Sequence, residues 1–217
     1  ASKQHQADRI EKRQGKRGAN RIGSHVSPEL KELNATRAFE YGAIDSTKLD
    51  LLLILASHSE LTLVARPWLT CLIDQATEAL LGSWISFGAP SKASAFMAIR
   101  SCIATFGRLP EFIHSDRGAE FRSNDFKRLL AWAGVSLQFS PAANPRFNSD
   151  IERFFGHQDV AMLSDLPGTI VDYHRRGTSP GYHPKDTATL TLSSFAPLFR
   201  EFQKSFNVQI AKSRTEP

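Results

Sequence analysis

The sequence is poor in cysteine and has no long apolar run. The two cysteines, Cys71 and Cys102, lie in apolar stretches without metal-ligand spacing around them. This argues against a zinc site and indicates core residues in a reducing compartment. The longest aliphatic run, LLLILA at 51–56, is too short to span a bilayer, and the first residues lack the apolar stretch of a signal peptide. We therefore expect a soluble, cytoplasmic protein with no membrane partner.

Charge is distributed unevenly along the 217 residues. Residues 1–21 hold seven of the 27 basic residues and two of the 22 acidic ones, so this segment carries the whole net charge of +5 and the remainder balances 20 against 20. A basic arm on a neutral globule is typical of contact with a polyanion such as DNA, although a solvated basic linker has the same composition. The candidate DNA contacts in the arm are Lys12, Arg13, Lys16 and Arg17.

The hydrophobic pattern predicts one main domain, in keeping with a chain of this length. Residues 1–40 are polar and weakly periodic, and apolar alternation begins at 41. We expect a basic linker or arm at 1–40, an ordered core at 41–207 and a tail at 208–217. No helix-turn-helix or zinc-binding segment is recognisable before the core and no strand-rich domain after it, so we expect a fragment of a longer protein.

The core pattern predicts a mixed α/β sheet. RPWLTCLIDQATEALLGSWISF divides into two strand-like halves around Asp74, which indicates an antiparallel hairpin. In the next segment Phe96, Ile99, Ile103 and Phe106 follow helical spacing and predict a helix. EFIHSD, NDFKRLLAWAG and VSLQFSP then alternate strand, helix, strand, which favours parallel pairing. Helices at about 149–163 and within SSFAPLFREFQKSF complete the pattern.

Two aspartates occupy positions where strands place functional groups. Asp116 ends the strand EFIHSD, and the carboxyl ends of parallel strands are where α/β sheets gather ligands. The alternative is that Asp116 only opens the turn DRG. Asp45 lies inside an apolar strand, where a carboxylate is costly to bury unless it is paired or bound to metal.

A third acid lies in NPRFNSDIERFFGH, residues 144–157. With Ser149 as N-cap, Glu152 is the N3 residue of a capping box, which by itself explains a glutamate there. However, Gly156 four positions on leaves open space beside Glu152, whereas Asp150 has Arg153 as a local partner. We therefore expect Glu152 to be the functional acid and Asp150 to be a helix-start acid.

Carboxylates that converge from two strands and a helix suit phosphoryl transfer with two divalent cations. Hard oxygen ligands favour two Mg²⁺ or Mn²⁺ ions, one to activate the attacking oxygen and one to stabilise the leaving oxygen. The absence of Cys and His clusters around these acids argues against zinc. His114 lies two residues before Asp116 and is either at the rim of this site or a plain strand histidine.

Four of these motifs, in this order, resemble the catalytic core of DDE transposases and retroviral integrases. AIDSTKLDLLL resembles the first Asp strand, RPWLTCLIDQATEALLGSWIS the following hairpin, HSDRGAEF the second Asp motif and NPRFNSDIERFFG the helix with the final Glu. Between Asp116 and Glu152 lie 35 residues, a spacing familiar in the family. The hairpin is closest to the large transposase subunits of phage Mu and of multi-protein bacterial transposons.

The resemblance implies an RNase H-like fold: a mixed five-stranded sheet with helices on both faces. It implies that Asp45, Asp116 and Glu152 bind the metals and act in catalysis. The activity would be nicking at transposon 3′ ends, followed by transfer of the 3′-hydroxyl into target DNA. Further DNA contacts are expected from Arg117, Arg146 and Arg153.

The expected partners are double-stranded DNA, further copies of the chain in a transpososome and other transposition proteins, in a bacterial cytoplasm. Two alternatives remain: a nuclease of the same fold that cuts without joining, and a DNA-binding module that retains the acids without activity. An oligonucleotide assay separates the three functions.

Overall fold

The structure is a computed structural model that describes residues 35–58, 61–139, 149–171 and 183–215. Its strands are β1 (Tyr41–Lys48), β2 (Leu53–His58), β3 (Leu61–Ala65), β4 (Trp68–Asp74), β5 (Leu80–Ser86), β6 (Phe112–Ser115) and β7 (Ser136–Phe139). Its helices are α1 (Lys92–Phe106), α2 (Ala119–Arg122), α3 (Asn124–Trp132), α4 (Ser149–Gln158), α5 (Pro184–Thr187) and α6 (Leu192–Thr215). Within the described ranges, no helix has the length and apolar character needed to cross a membrane.

The main sheet has five strands in the order β5-β4-β1-β6-β7. β1 pairs antiparallel with β4, which pairs antiparallel with β5. On its other side β1 pairs parallel with β6, which pairs parallel with β7. This mixed order, with the first strand at the centre, is the RNase H-like fold. The predicted fold class is confirmed.

Alternation along the central strands produces two cores, one on each face of the sheet. Ala43 and Cys71 point to one face and pack with residues of α4 and α6, including Phe154 and Phe199. Residues Ile44 and Leu72 point to the other face, where α1, α2 and α3 pack. Neighbouring residues of a strand point to opposite faces, so one apolar run in β1 and one in β4 supply both cores. Helices therefore cover both faces, as expected.

Helix α1 is present where the spacing predicted a helix, but its buried face is different. Ser91 caps its start, and Gly107 ends it with a φ of 68°. The buried positions are Ala95, Ala98, Ile99 and Cys102 with Ser94, whereas Ile103 is 46% exposed and Phe106 38%. The helix turns its small residues inward because its backbone lies directly against Gly82 of β5. Of the larger residues at helical spacing, Ile99 stays buried, whereas Ile103 and Phe106 are displaced toward solvent.

The residues between β1 and β4 form a separate two-stranded sheet, β2-β3, which the sequence pattern did not distinguish from the main sheet. Isolated bridges join its base to the rest of the chain, from Leu51 to Thr169 and from Ile54 to Thr191. Arg66, just after β3, forms an ion pair with Asp50 and donates 2.8 Å to the carbonyl oxygen of Leu49. These contacts hold both ends of the segment that contains β2 and β3 near β1.

The last two predicted helices are present, with changed ends. After α4, residues Asp159–Leu163 continue as a π-helical turn, so the helical region extends to 163 as expected. Helix α4 begins at Ser149 itself, where a cap had been expected. Helix α6 runs to Thr215, so residues 208–215, expected in a tail, continue the helix. The division into arm, core and tail remains a prediction.

Candidate active site

Asp45 and Asp116 lie side by side at one edge of the sheet. The last pair in the parallel ladder of β1 and β6 joins Ile44 to Ser115. Asp45 and Asp116 are the next residues on the two strands, and adjacent strands run about 4.8 Å apart. Strand register therefore brings Asp45 and Asp116 together at the carboxyl end of β6, while their role as a ligand site remains a prediction.

The carboxylate of Asp45 is partly buried and held by a backbone donor. The Ser46 N–H donates to its Oδ1 at 2.7 Å. Burial raises the pKa of Asp45 to about 6, and the Ser46 N–H opposes this rise. Three neighbouring negative charges raise it further: Asp116, Glu120 and Glu152. The acids of β1, β6, α2 and α4 thus act on one another through space.

Asp116 makes the hydrogen bond of a turn residue, and its role as a ligand residue remains a prediction. Its Oδ1 accepts a hydrogen bond of 2.8 Å from the Gly118 N–H, which is the bond of a turn-forming aspartate. Its side chain is also exposed at the strand end beside Asp45. The turn therefore holds one carboxylate oxygen of Asp116 against the Gly118 N–H.

Glu120 is a fourth acid whose charge acts on Asp45, and sequence reasoning missed it. A Cβ placed on Gly118 would lie 2.9 Å from Oδ1 of Asp116 and 2.9 Å from Oε2 of Glu120. Both carboxylates therefore lie close against the bare Cα of Gly118. The signal in the sequence was the spacing of four residues between Asp116 and Glu120 across a turn that opens a helix.

Glu152 projects from the exposed side of α4. The opposite side of the helix is anchored in the core through Ile151 and Phe154, as predicted. Glu152 is exposed, and a Cβ at Gly156 would meet no atom within 4 Å, which confirms the expected open space. The side chains of Ser149 and Asp150 lie outside the described residues, so the capping box and the role of Asp150 remain predictions.

The charges of Asp116, Glu120 and Glu152 act on Asp45, but the four acids do not surround one point closely enough to hold a metal ion. No group of three or more His, Cys, Asp or Glu among the described residues is close enough to hold one metal ion. The donor set nevertheless fits Mg²⁺ or Mn²⁺, because it consists of carboxylate oxygens and contains no thiolate or imidazole. Four like charges repel one another, so we expect a cation to draw them together.

The predicted basic contacts divide into two groups. Arg117 is exposed next to Asp116, and Arg153 is exposed but donates 2.8 Å to Oε1 of Glu78. This ion pair connects α4 with the turn between β4 and β5, so Arg153 has a structural contact in addition to the one expected with Asp150. The other candidates lie outside the described residues: Lys12, Arg13, Lys16, Arg17 and Arg146.

The remaining candidate residues are core residues. His114 is only 2% exposed and pairs within the sheet with Ala43 and Gln138, so it is a plain strand histidine and not part of the rim. Cys71, opposite Asp45 on β4, and Cys102 are both free and buried, as predicted. Burial raises the pKa of the Cys102 thiol to about 12 and that of Cys71 well above its ordinary value, so neither supplies a thiolate.

Comparison with known proteins identifies the family. A family model described as the TnsB C-terminal domain matches residues 43–168, more than half of the chain. The chain belongs to this family. The matched range contains Asp45, Asp116, Glu120 and Glu152. The TnsB resemblance agrees with the resemblance to DDE transposases and integrases that the motifs indicated.

Among curated proteins, this TnsB-family chain is similar to the transposase for transposon Tn552 of Staphylococcus aureus. The two are 29% identical over 143 residues, which cover 63% of this chain. The match spans 29% of the length of the Tn552 protein, so this chain corresponds to less than a third of that relative.

Two solved structures are similar to the TnsB-family chain in fold. The catalytic core domain of BIV integrase is 12% identical with a TM-score of 0.44, and the match covers 75% of this chain and 98% of that one. The catalytic core domain of HTLV-2 integrase in complex with magnesium is 15% identical with a TM-score of 0.36, covering 54% and 64% of the two chains. Membership in the family rests on the family model.

Proposed function

We propose that this chain is the catalytic core of a DDE transposase that nicks transposon 3′ ends and joins them to target DNA. The observation that carries the proposal is the register of β1 and β6, which places Asp45 beside Asp116, within reach of the charge of Glu152. The family match supports the same assignment, because it spans all three residues.

Asp45, Asp116 and Glu152 are the residues that would hold two Mg²⁺ or Mn²⁺ ions. When bound, such ions activate the attacking oxygen and stabilise the leaving oxygen of a phosphodiester. The chain itself orients the acids. The Ser46 N–H fixes one oxygen of Asp45, and the Gly118 N–H fixes one oxygen of Asp116. The raised pKa of Asp45 means that cation binding competes with a proton near pH 6.

The proposed reaction has two steps at the same acids. In the first, water attacks a phosphodiester at the transposon end, and the bond to the 3′ oxygen breaks to leave a free 3′-hydroxyl. In the second, that hydroxyl attacks a phosphodiester of target DNA, so that one bond forms as another breaks. Because the number of phosphodiester bonds is conserved in the second step, no nucleotide cofactor is needed.

Double-stranded DNA is the proposed partner, with further copies of the chain and other transposition proteins in the assembled complex. The proposed location is the bacterial cytoplasm, in association with DNA. Near the acids, exposed Arg117 is placed to meet a phosphate. Arg153 is held by Glu78, so a phosphate would have to compete with that carboxylate.

The test uses labelled duplexes carrying a transposon end, with Mg²⁺ or Mn²⁺ and a target plasmid. Cutting with joining is the expected result. Asp45→Asn, Asp116→Asn and Glu152→Gln should each lower both steps by at least about a hundredfold, because each removes a charged ligand. Asp186→Asn is the matched control, since Asp186 is exposed on α5 and is not among the acids acting on Asp45.

Each other outcome points to a different function. Cutting without joining would establish the nuclease alternative, and duplex binding without cutting would establish the DNA-binding module. A triad variant that keeps near wild-type joining while it is correctly folded would remove its residue from the site.

A further inference from the structure

A long groove lies away from the acids, along the edge of the sheet formed by β5. The strand order separates β5 from β1 by β4. Helix α1 forms one wall of the groove and helix α6 the other, and the volume is about 850 Å³. The lining of α6 extends from Leu192 to Asn207, which at 1.5 Å per residue corresponds to about 22 Å. The groove is therefore elongated and suits a chain segment better than a compact ligand.

The floor of the groove is apolar and partly open. Trp84 is 38% exposed, although it belongs to the sheet, and partly buried Ile85 continues the apolar surface beside it, whereas Phe199, which also lines the groove, is buried. On the walls, Met97 of α1 and Ala196 of α6 add small and flexible apolar contacts. An exposed aromatic within a concave apolar surface is typical of a binding site for another protein.

The rim of the groove carries charge of one sign. Arg100 on α1 and Arg200 with Lys204 on α6 are exposed, and none of the described acidic residues lines the groove. Lys204 forms an ion pair of 2.8 Å with Glu201 of its own helix, so the charge of the rim comes chiefly from the two arginines. The arginines extend from opposite walls, one from each helix.

Both walls are held in place by the sheet, so the groove does not depend on an occupant for its shape. The Asn207 side chain accepts from the Leu80 N–H at 2.8 Å and donates to its carbonyl oxygen at 3.0 Å. Gln203 bonds to Leu80 and Ser83 of the same strand. On the other wall, the backbone of α1 lies against Gly82. A preformed site loses little entropy when a ligand binds.

We propose that this groove docks an amphipathic segment of a partner protein whose apolar face meets Trp84 and Met97 and whose acidic residues meet Arg100 and Arg200. Charge complementarity selects this occupant. The basic arm of the chain itself, residues 1–21, carries a net +5 and would be repelled by the rim. A DNA phosphate backbone would leave the apolar floor without a matching surface.

The experiment measures binding of two fluorescein-labelled helical peptides to the full chain by fluorescence anisotropy. Both peptides have leucines along one face, and their other faces carry glutamates in one peptide and lysines in the other. The glutamate peptide should bind at least about tenfold more tightly than the lysine peptide, because like charges across an interface are strongly unfavourable. Arg128→Glu on α3, an exposed arginine outside the groove, is the matched control and should change neither affinity.

The double variant Arg100→Glu with Arg200→Glu should weaken the glutamate peptide by at least about tenfold and strengthen the lysine peptide. Ala196→Trp, which fills the groove, should weaken both. The double arginine variant tests the proposal even if the tryptophan at position 196 prevents folding. Melting temperature and circular dichroism establish that each variant is folded.

Three results would overturn the proposal. Equal affinity for both peptides, unaffected by the double variant, would show that they adhere without using the rim. Loss of duplex DNA affinity in the double variant, with competition between DNA and the glutamate peptide, would make the groove a phosphate-binding surface. A dimer in sedimentation that the double variant dissociates would make it a contact between copies of the chain. None of these results depends on catalysis, so each is distinguishable from failure of the proposed transposase activity.

Discussion

Asp116 and Glu120 face each other across the bare Cα of Gly118. A Cβ at this position would lie 2.9 Å from a carboxylate oxygen of each residue. The φ of Gly118 is −53°, a value that any residue adopts, so backbone conformation does not require a glycine there. The requirement comes from the two neighbouring side chains. This relationship connects a turn residue to the chemistry of the site.

Gly118→Ala should lower cleavage and joining by at least about tenfold while changing the free energy of unfolding by less than about 1 kcal/mol. The reason is that the methyl group displaces two movable carboxylates and meets no backbone. Activity assays and thermal melts of the same preparations check the prediction. Gly88→Ala is the control, because a Cβ at 88 would meet no atom within 4 Å. Full activity in Gly118→Ala would show that the spacing of these acids is unimportant.

Asp45→Asn should stabilise the metal-free protein at pH 8 by on the order of 1–3 kcal/mol, with partial solvent screening reducing the effect. The pKa of Asp45 is about 6 in the folded chain and ordinarily 3.8, so the folded state disfavours the ionised carboxyl above pH 6. The advantage of Asn should therefore decrease as the pH falls through 6 and vanish below about pH 4. Melting temperatures of both proteins across this range provide the measurement.

Addition of Mg²⁺ supplies the matching control. It should raise the melting temperature of the wild-type protein at pH 8 and have a much smaller effect on Asp45→Asn. A constant difference between the two proteins from pH 4 to pH 8 would mean that Asp45 has an ordinary pKa.

Gly82→Ala should destabilise the fold by more than about 2 kcal/mol. A Cβ at this position would collide with the carbonyl oxygen of Ala98 and lie 2.9 Å from the amide nitrogen of Cys102. Both atoms belong to the backbone of α1, which cannot move without separating from the sheet. Urea unfolding monitored by circular dichroism tests this expectation. Gly88→Ala is the control and should lower the free energy of unfolding by less than about 0.5 kcal/mol. An equally small decrease for Gly82→Ala would contradict the close packing of α1 on β5.

Removal of residues 1–21 should weaken nonspecific DNA binding and its dependence on salt, because this segment carries the whole net charge of +5. With a slope of about −0.9 per phosphate neutralised, about four contacts predict that the slope of log K against log salt flattens by about 3.6. Salt titrations of duplex binding by the full and shortened chains give both slopes. Equal slopes would assign the DNA contacts to Arg117, Arg122, Arg146 and Arg153.

The pattern of the sequence determined a mixed α/β sheet and the positions of Asp45, Asp116 and Glu152 on its elements, and the family resemblance implied the RNase H-like fold. The inferences from pattern succeed because they rest on local features: alternation identifies strands, the run ending at Asp116 identifies a strand end, and Gly156 identifies an open side of α4. The two cysteines were recognised as core residues for the same reason, because each lies in an apolar run.

Only the tertiary structure revealed the place of Glu120, the buried face of α1 and the groove beside Trp84. Each depends on which surfaces meet across elements distant in sequence. Glu120 lies beside Asp116 because a turn without a side chain at Gly118 admits its carboxylate. Helix α1 buries its alanines because Gly82, on another element, lets two backbones touch. Periodicity in the sequence shows how hydrophobic each face of a helix or strand is. The distance between two packed faces depends on the side chains of both elements, and the sequence pattern of one element does not show which other element will pack against it.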